Sequence, residues 1–287
     1  MPDLRKRKFK ATGRRPPPPT APAGAQVAYL AELRTLLAYA RALVNARLLP
    51  HLTTLVERTE RLQVDTKGLQ LDGRVDNLDA DPHGRVNRLL DQISDAFFRK
   101  YPAKKLLSLT EKIARTVSAH QKTQLFRQVK ATIGIDLSTI ADKGLTARIG
   151  RFTAENVALI ETLPQKYFDD VEKSVLTGMR KGARAKDIAE DMQERFNVAS
   201  SRAKLIARDQ VLKFNGELAR TRQAALGIDH YIWRTVQDNR VRNEHSEREG
   251  ETYSWGDPPG NPSDPAAGGH PGEAINCRCY AEPVMPA

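Results

Sequence analysis

Four side chains near the end of the chain have the chemistry of transition-metal ligands: Asp238, His245, Cys277 and Cys279. Imidazole nitrogens and thiolates are ligands that zinc prefers, and a carboxylate can complete a four-coordinate site. Asp238 and His245 are seven residues apart, so they share one face if their segment is helical. The types and order of these residues predict a metal site, with zinc as the ion that fits them.

The same residues could also be structural without a metal. Asp238 and His245 could form a buried hydrogen-bonded pair while the two thiols act as small core residues. A metal would hold the Pro- and Gly-rich loop over 256–272, which has too few apolar residues to fold by itself. Against zinc, a single residue separates the cysteines, whereas zinc knuckles usually leave two or more. A disulfide between them would close a very small, strained loop.

Three arginines surround these residues in the sequence: Arg240, Arg242 and Arg278. They could bind phosphate with two parallel hydrogen bonds, or pair with nearby carboxylates. Those carboxylates are Glu244, Glu247 and Glu249. Because the carboxylates are so close along the chain, the sequence favours pairing.

The beginning of the chain is strongly basic. Seven cationic residues precede four prolines at 16–19, and they are Arg5, Lys6, Arg7, Lys8, Lys10, Arg14 and Arg15. Like charges repel and prolines favour extended structure, so residues 1–24 are predicted to be a disordered tail. The tail could be an arm that contacts the phosphates of nucleic acid, or a solubilising segment. The formal net charge of +11 indicates a polyanionic partner.

Helical periodicity dominates the middle of the chain. An apolar stripe with steps of three or four residues covers 26–62, where Pro50 predicts a kink or two helices. Similar stripes predict further helices over 86–179, with a break at Pro164, and two more over 186–226. At 230–236, aromatic and β-branched residues alternate, which indicates a strand. Residues 277–284 could form a short closing strand.

These patterns predict a mainly α fold, with a multi-helix N-terminal and central region and a small α+β C-terminal module rich in Pro/Gly loop. The predicted division is a tail at 1–24, helical regions at 25–150 and 151–228, and the module at 229–287. No apolar run approaches 18 residues, which argues against a membrane span. The chain begins without the apolar segment of a secretory signal, so a cytoplasmic origin is expected. Neither a nucleophile elbow nor a Gly-rich nucleotide loop is present in the sequence, so no catalytic residue is assigned.

A set of residues towards the end of the chain resembles the phage Mu protein F-like family. In chain order, the set consists of 207–210 (Ala-Arg-Asp-Gln), Asn215, Gly227, Ile228, Tyr231, Trp233, Asp238, 240–242 (Arg-Val-Arg), His245, Gly250 and 276–279 (Asn-Cys-Arg-Cys). The resemblance is strongest over 203–284 and specific when the set is taken as a whole. Glu249 supplies the acidic residue that family members often have before the glycine.

The resemblance implies a minor head or head-morphogenesis protein of a tailed bacteriophage, with no enzymatic activity. Such proteins are present in few copies, associate with the portal protein and with capsid or scaffold proteins, and assist head assembly and DNA packaging or delivery. The implied location is the virion head interior or portal vertex, after assembly in the cytoplasm of the bacterial host. The alternative is a metal-dependent nuclease, because an Asp…His motif beside Cys-x-Cys on a basic scaffold loosely resembles His-Asn-His enzymes.

Overall fold

The computed structural model describes residues 17–68, 81–137, 144–260 and 269–285. Its long helices are α1 (Ala23–Arg47), α2 (Leu52–Gly68), α3 (Pro82–Lys100), α4 (Ala103–Ile133), α5 (Leu145–Arg180) and α6 (Ala185–Ala225). A short helix α7 (Asn243–Glu247) and three strands follow, namely β1 (His230–Arg234), β2 (Thr252–Ser254) and β3 (Tyr280–Pro283). The prediction of a mainly α protein with a small α+β C-terminal module is confirmed. Across the described part of the chain, no helix is long and apolar enough to cross a membrane.

The chain divides into two compact units, each assembled from segments that are distant in sequence. Unit 1 comprises Met1–Leu30, Ser108–Asn156 and Leu205–Ala287, and unit 2 comprises Ala31–Leu107 and Val157–Lys204. The four-part division made from the sequence stays a prediction.

In unit 2, the stripe predicted on α1 is the buried face of that helix. Leu33, Leu37 and Val44 are almost completely buried, in keeping with their helical spacing. Pro50 lies in a 3-10 turn, Leu49–His51, between α1 and α2. The prediction of two helices interrupted at this proline is therefore confirmed.

Aromatic packing completes the core of unit 2. The Phe97 ring of α3 lies 5.2 Å from the Tyr101 ring, 5.9 Å from the Phe168 ring and 6.1 Å from the Tyr39 ring, measured between centroids. Asp81 caps α3 by accepting hydrogen bonds from the backbone N–H groups of residues 83 and 84. The helix therefore begins at a defined point and presents Phe97 to its neighbours.

The predicted break at Pro164 is wrong, because α5 continues through this residue. A helical proline removes one backbone N–H and crowds the carbonyl four residues earlier. Ile160, Leu163, Tyr167 and Phe168 are nevertheless buried on both sides of it. Burial of these flanking side chains keeps the helix continuous where local propensity alone would end it.

In unit 1, an apolar cluster joins the end of α4 to the segment that follows α6. Its buried members are Leu125, Val129, Ile133, Leu137, Leu226 and Ile228. Gly227 has a φ of 78°, a backbone conformation that glycine adopts without strain. Gly227 therefore follows the end of α6 and leads the chain towards β1.

The sheet of unit 1 has the strand order β2-β1-β3, and both pairings are antiparallel. In β1, Tyr231 lies opposite Tyr253 of β2, and Trp233 lies opposite Ala281 of β3. One face of the sheet carries a second buried cluster formed by Tyr231, Trp233, Trp255, Ala274, Cys277, Cys279 and Ala281. The predicted strands therefore exist in shorter form, and the central one places two large aromatic residues against the cysteines.

Candidate metal centre

His245, Cys277 and Cys279 meet in the interior of unit 1 and are called here the His/Cys/Cys cluster. Helix α7 supplies His245, and the segment leading into β3 supplies the cysteines. Nδ1 of His245 is 3.6 Å from the Sγ atoms of both Cys277 and Cys279. The structure thus brings together three of the four residues that the sequence selected as metal ligands.

The geometry of the cluster fits a tetrahedral zinc ion. All three ligand atoms lie within 4.8 Å of one another. Zinc–sulfur and zinc–nitrogen bonds of roughly 2.3 and 2.0 Å imply tetrahedral N···S edges of about 3.5 Å and S···S edges of about 3.8 Å. Both N···S distances, at 3.6 Å, already match such an edge. Among the residues that the structure describes, no additional histidine, cysteine or carboxylate lies close enough to be a fourth ligand.

The two thiols share a hydrogen bond that separates their acidities. A hydrogen bond donated by Cys279 lowers the pKa of Cys277 despite burial, with further help from His245. The backbone N–H of Gly272 also donates to Cys277 Sγ at 3.4 Å. The same thiol pair and burial raise the pKa of Cys279. A lowered pKa of Cys277 favours its thiolate, the form that binds metals.

The turn that carries Cys277 is fastened to α6 by Asp209. The Oδ1 atom of Asp209 accepts the backbone N–H of Asn276 at 2.6 Å, and Oδ2 lies 2.9 Å from Nζ of Lys213. Nε of Arg208 donates to the side-chain oxygen of Asn276 at 3.2 Å. Asn276 has a φ of 56°, a conformation that asparagine tolerates better than most residues. The residues of α6 and of the Asn-Cys-Arg-Cys turn that carry the family resemblance are thus in direct contact.

A second contact brings the loop close to α6. A Cβ atom on Gly216 would lie 2.8 Å from the backbone oxygen of Pro271. Only glycine leaves room for this approach, because such a distance is shorter than real Cβ contacts. The approach sets the position of Gly272, whose N–H faces the thiolate.

Trp233 packs against one side of the cluster. Its ring lies 5.2 Å from the imidazole of His245 at an angle of 64°, and the Arg248 guanidinium lies 5.0 Å from its ring centre. Gly250 donates its N–H to the carbonyl of Trp233 at 2.9 Å with a φ of 87°. Trp233 therefore packs against His245, and Gly250 holds the backbone of Trp233 in place.

Asp238 is placed elsewhere. Both of its carboxylate oxygens accept hydrogen bonds from the Arg278 guanidinium, and this bond lowers the pKa of Asp238 to about 2. The chain turns away after β1, where Gln237 has a φ of 52°. The spacing puts Asp238 and His245 on one face only if their segment is helical, but α7 begins at Asn243 and residues 238–242 lie outside it. The structure therefore does not bring Asp238 to the His/Cys/Cys cluster.

Carboxylate pairing, which the sequence favoured, holds for Arg278, although its partner is Asp238. Arg242 instead donates to the backbone oxygen of Ile275 at 2.9 Å. Glu249 pairs with Arg234, which the sequence had not singled out, at 3.3 Å, and Arg234 also bonds Glu282 at 2.6 Å. Burial acts to raise the pKa of Glu249, but the Thr235 N–H and the Arg234 guanidinium outweigh it and lower the pKa. The sequence signal available for these ion pairs was an arginine, Arg234, at the end of the aromatic strand β1.

The predicted nucleic-acid arm lies outside the described residues. Its members are Arg5, Lys6, Arg7, Lys8, Lys10, Arg14 and Arg15. Basic residues of α6 that could have faced phosphate have internal partners: Arg208 contacts Asn276, and Arg220 lies 3.5 Å from a carboxylate oxygen of Glu273. Arg222 is buried and donates to the backbone oxygen of Ser118 at 3.0 Å. These three arginines of α6 thus have partners within unit 1.

The geometry defines a class of protein: a mostly helical chain with a small antiparallel sheet beside a buried His/Cys/Cys cluster. Residues 169–282 match the model of the family described as Phage Mu protein F like protein. This match confirms the resemblance to the phage Mu protein F-like family found in the sequence.

A protein of Haemophilus influenzae, named only as uncharacterized, is 32% identical to the chain over 169 residues. The aligned part is 58% of this chain and 36% of that protein, so the chain spans about a third of the length of this relative. No solved structure matches the chain.

Proposed function

We propose that this protein is a minor component of the head of a tailed phage and acts in head morphogenesis. The observation that carries the proposal is the family match over 169–282. It covers α6, β1 and α7 and runs into β3, and these are the elements that build the His/Cys/Cys cluster and its supports. The segment that matches the family model therefore contains the His/Cys/Cys cluster.

Within that role, the protein associates with the portal and procapsid and contacts packaged DNA through its basic arm. Seven basic residues and one acidic residue, Asp3, give residues 1–16 a formal charge of +6, more than half of the +11 of the chain. A cluster of like charges at one end of a chain binds phosphates mainly through electrostatic attraction, without reading the sequence. Such binding suits a protein that meets DNA of any sequence during packaging.

The His/Cys/Cys cluster has a structural role in this proposal, and zinc is the metal it would hold. His245, Cys277 and Cys279 would be the ligands, and the bound ion would supply a cross-link between α7 and the loop before β3. His245 is 2% exposed and Cys277 is 3% exposed. Burial to this degree leaves no room for a DNA strand at these ligands, which favours a structural role over nuclease activity.

The first experiment is particle association. Gradient-purified heads and empty procapsids from a host that makes the protein are analysed by mass spectrometry. We expect the protein in both, in few copies relative to the major capsid protein. Absence from both would overturn the proposal.

A nicking assay on supercoiled DNA with added magnesium, manganese or zinc accompanies this test, and we expect no cleavage. Cleavage by the wild-type protein that disappears in His245→Ala would favour the nuclease alternative instead.

The metal is tested on the full-length protein by elemental analysis after purification without chelators. We expect about one zinc ion per chain, lost in His245→Ala and in the double variant Cys277→Ser with Cys279→Ser. His230→Ala is the matched control, because His230 is an exposed histidine on β1, and we expect it to retain zinc. Retention of zinc by His245→Ala would refute the assignment.

A further inference from the structure

The segment over 17–21, called here the leader strap, lies on unit 1 in a defined register. Three side chains of α4 contact it: Gln128 donates to the backbone oxygen of Pro17 at 3.2 Å, and Gln124 donates to the Thr20 hydroxyl at 3.0 Å. His120 Nε2 lies 2.9 Å from the backbone oxygen of Thr20. The three side chains are four residues apart, so one face of α4 holds the strap. Part of the predicted disordered tail is therefore an ordered segment.

The strap and Cys279 line the same space. A cavity of about 880 Å³ is lined by residues 17–21 on one side and by Cys279, Tyr280 and Glu282 on another. A smaller neighbouring cavity is also lined by Pro19, Thr20, Cys279 and Tyr280. Neither of these two cavities is lined by Cys277 or His245. A path from solvent to the cluster through this space thus reaches Cys279 first.

The strap is held by polar contacts more than by burial. None of residues 17–21 is buried, and Pro18, Thr20 and Ala21 are exposed. Three prolines in a row favour an extended backbone before the strap is bound, which reduces the entropy lost on ordering it. A segment held in this way can open without unfolding the helices beneath it.

We propose that the leader strap is a removable cover that controls access to the Cys279 side of the His/Cys/Cys cluster. With the strap closed, the Cys279 sulfur is shielded from metal ions, chelators and electrophiles. With the strap open, the cavity connects that sulfur to solvent, and the cluster is loaded or stripped from this side. The inference deepens the metal part of the proposed function, but its test does not depend on a metal being bound.

The test measures alkylation of each cysteine by iodoacetamide in the full-length, chelator-treated protein. In this reaction the cysteine thiolate displaces iodide, a carbon–sulfur bond forms, and the thiol proton goes to the buffer. Because the raised pKa of Cys279 slows its reaction in every variant, the rate of each cysteine is compared with its own rate in the wild type at the same pH. Trypsin cleaves after Arg278, so Cys277 and Cys279 fall on separate peptides and their rates are measured independently. Cys277 is the internal reference, because only Cys279 faces the cavities beneath the strap.

The informative variant is Gln124→Ala with Gln128→Ala, which removes two of the three contacts between α4 and the strap. We expect the alkylation rate of Cys279 to rise roughly tenfold, since each hydrogen bond contributes a few-fold to the closed state, with the rate of Cys277 nearly unchanged. Thr123→Ala is the matched control: Thr123 is exposed on the same helix, and its hydroxyl bonds only within α4. We expect the control to match the wild type.

An unchanged Cys279 rate, or an equal rise at both cysteines, would overturn the proposal. If the double variant fails to fold, Thr20→Val removes the acceptor of Gln124 from the strap side and leaves α4 intact. We expect the same selectivity for Cys279 with a smaller rise, and no selective rise would refute the cover. Failure here would leave particle association and zinc content unaffected, so it is distinguishable from failure of the proposed function.

Discussion

Unit 2 and the C-terminal part of unit 1 are held together by different interactions. In unit 2, buried leucines of α1 and the aromatic ring of Phe97 lie in an apolar core. In the C-terminal part of unit 1, a loop before β3 is fixed by Asp209, the Gly272 N–H and two thiols. Apolar packing tolerates substitutions of similar volume, whereas hydrogen-bonded contacts to buried groups depend on particular atoms. The residues that carry the family resemblance, from 207 to 279, lie in unit 1.

The largest effect is expected from Phe97→Ala. Removing a buried phenyl ring creates a cavity and should lower the free energy of unfolding of unit 2 by about 3–5 kcal/mol. Hydrogen exchange read by mass spectrometry in mild denaturant should show faster exchange in peptides of α1 and α3 than in those of β1 and β3. Phe98→Ala is the control, because Phe98 is only half-buried, and it should have a smaller effect. An equal increase in exchange rate in both regions would contradict the expected difference between unit 2 and the C-terminal part of unit 1.

An intermediate effect is expected from Asp209→Ala in the C-terminal part of unit 1. A hydrogen bond to a charged group contributes about 1.5–3 kcal/mol, and the loss should appear as faster exchange of the amides around 272–279. Asp209→Asn keeps an acceptor for the Asn276 N–H and should lose less. Glu217→Ala is the control, since its 2.7 Å pair with Arg151 is exposed and such pairs contribute about 0–1 kcal/mol. A loss in Glu217→Ala as large as in Asp209→Ala would contradict the role of Asp209.

The smallest effect is expected from Asp238→Asn, which tests the pair with Arg278. The hydrogen bond from Arg278 lowers the pKa of Asp238 from 3.8 to about 2, so the ionised carboxylate favours the folded state. This contribution is present above the unfolded pKa and is lost as the pH falls through the folded pKa. The difference in melting temperature between wild type and variant should therefore be present at pH 6 and vanish as the pH falls from about 4 to 2. A difference that persists unchanged at pH 2 would show that another interaction is responsible.

Local patterns sufficed for the helices and the central strand. The spacing of Leu33, Leu37 and Val44 fixed the buried face of α1, because helical periodicity is a property of the chain itself. The residue types of His245, Cys277 and Cys279 were likewise enough to select them as a group, because few other residues carry soft ligands. At Pro164 local reasoning failed, since burial of Leu163 and Tyr167 outweighs the missing hydrogen bond.

By itself, the sequence determined the fold class, the resemblance to the phage family and three members of the cluster. Only the tertiary structure decided that Asp238 pairs with Arg278, that Asp209 holds Asn276, and that the leader strap lies on α4. These contacts join residues 40, 67 and 104 positions apart. Periodicity and motif spacing describe neighbours along the chain, whereas such pairings depend on how α4, α6 and β3 pack within unit 1.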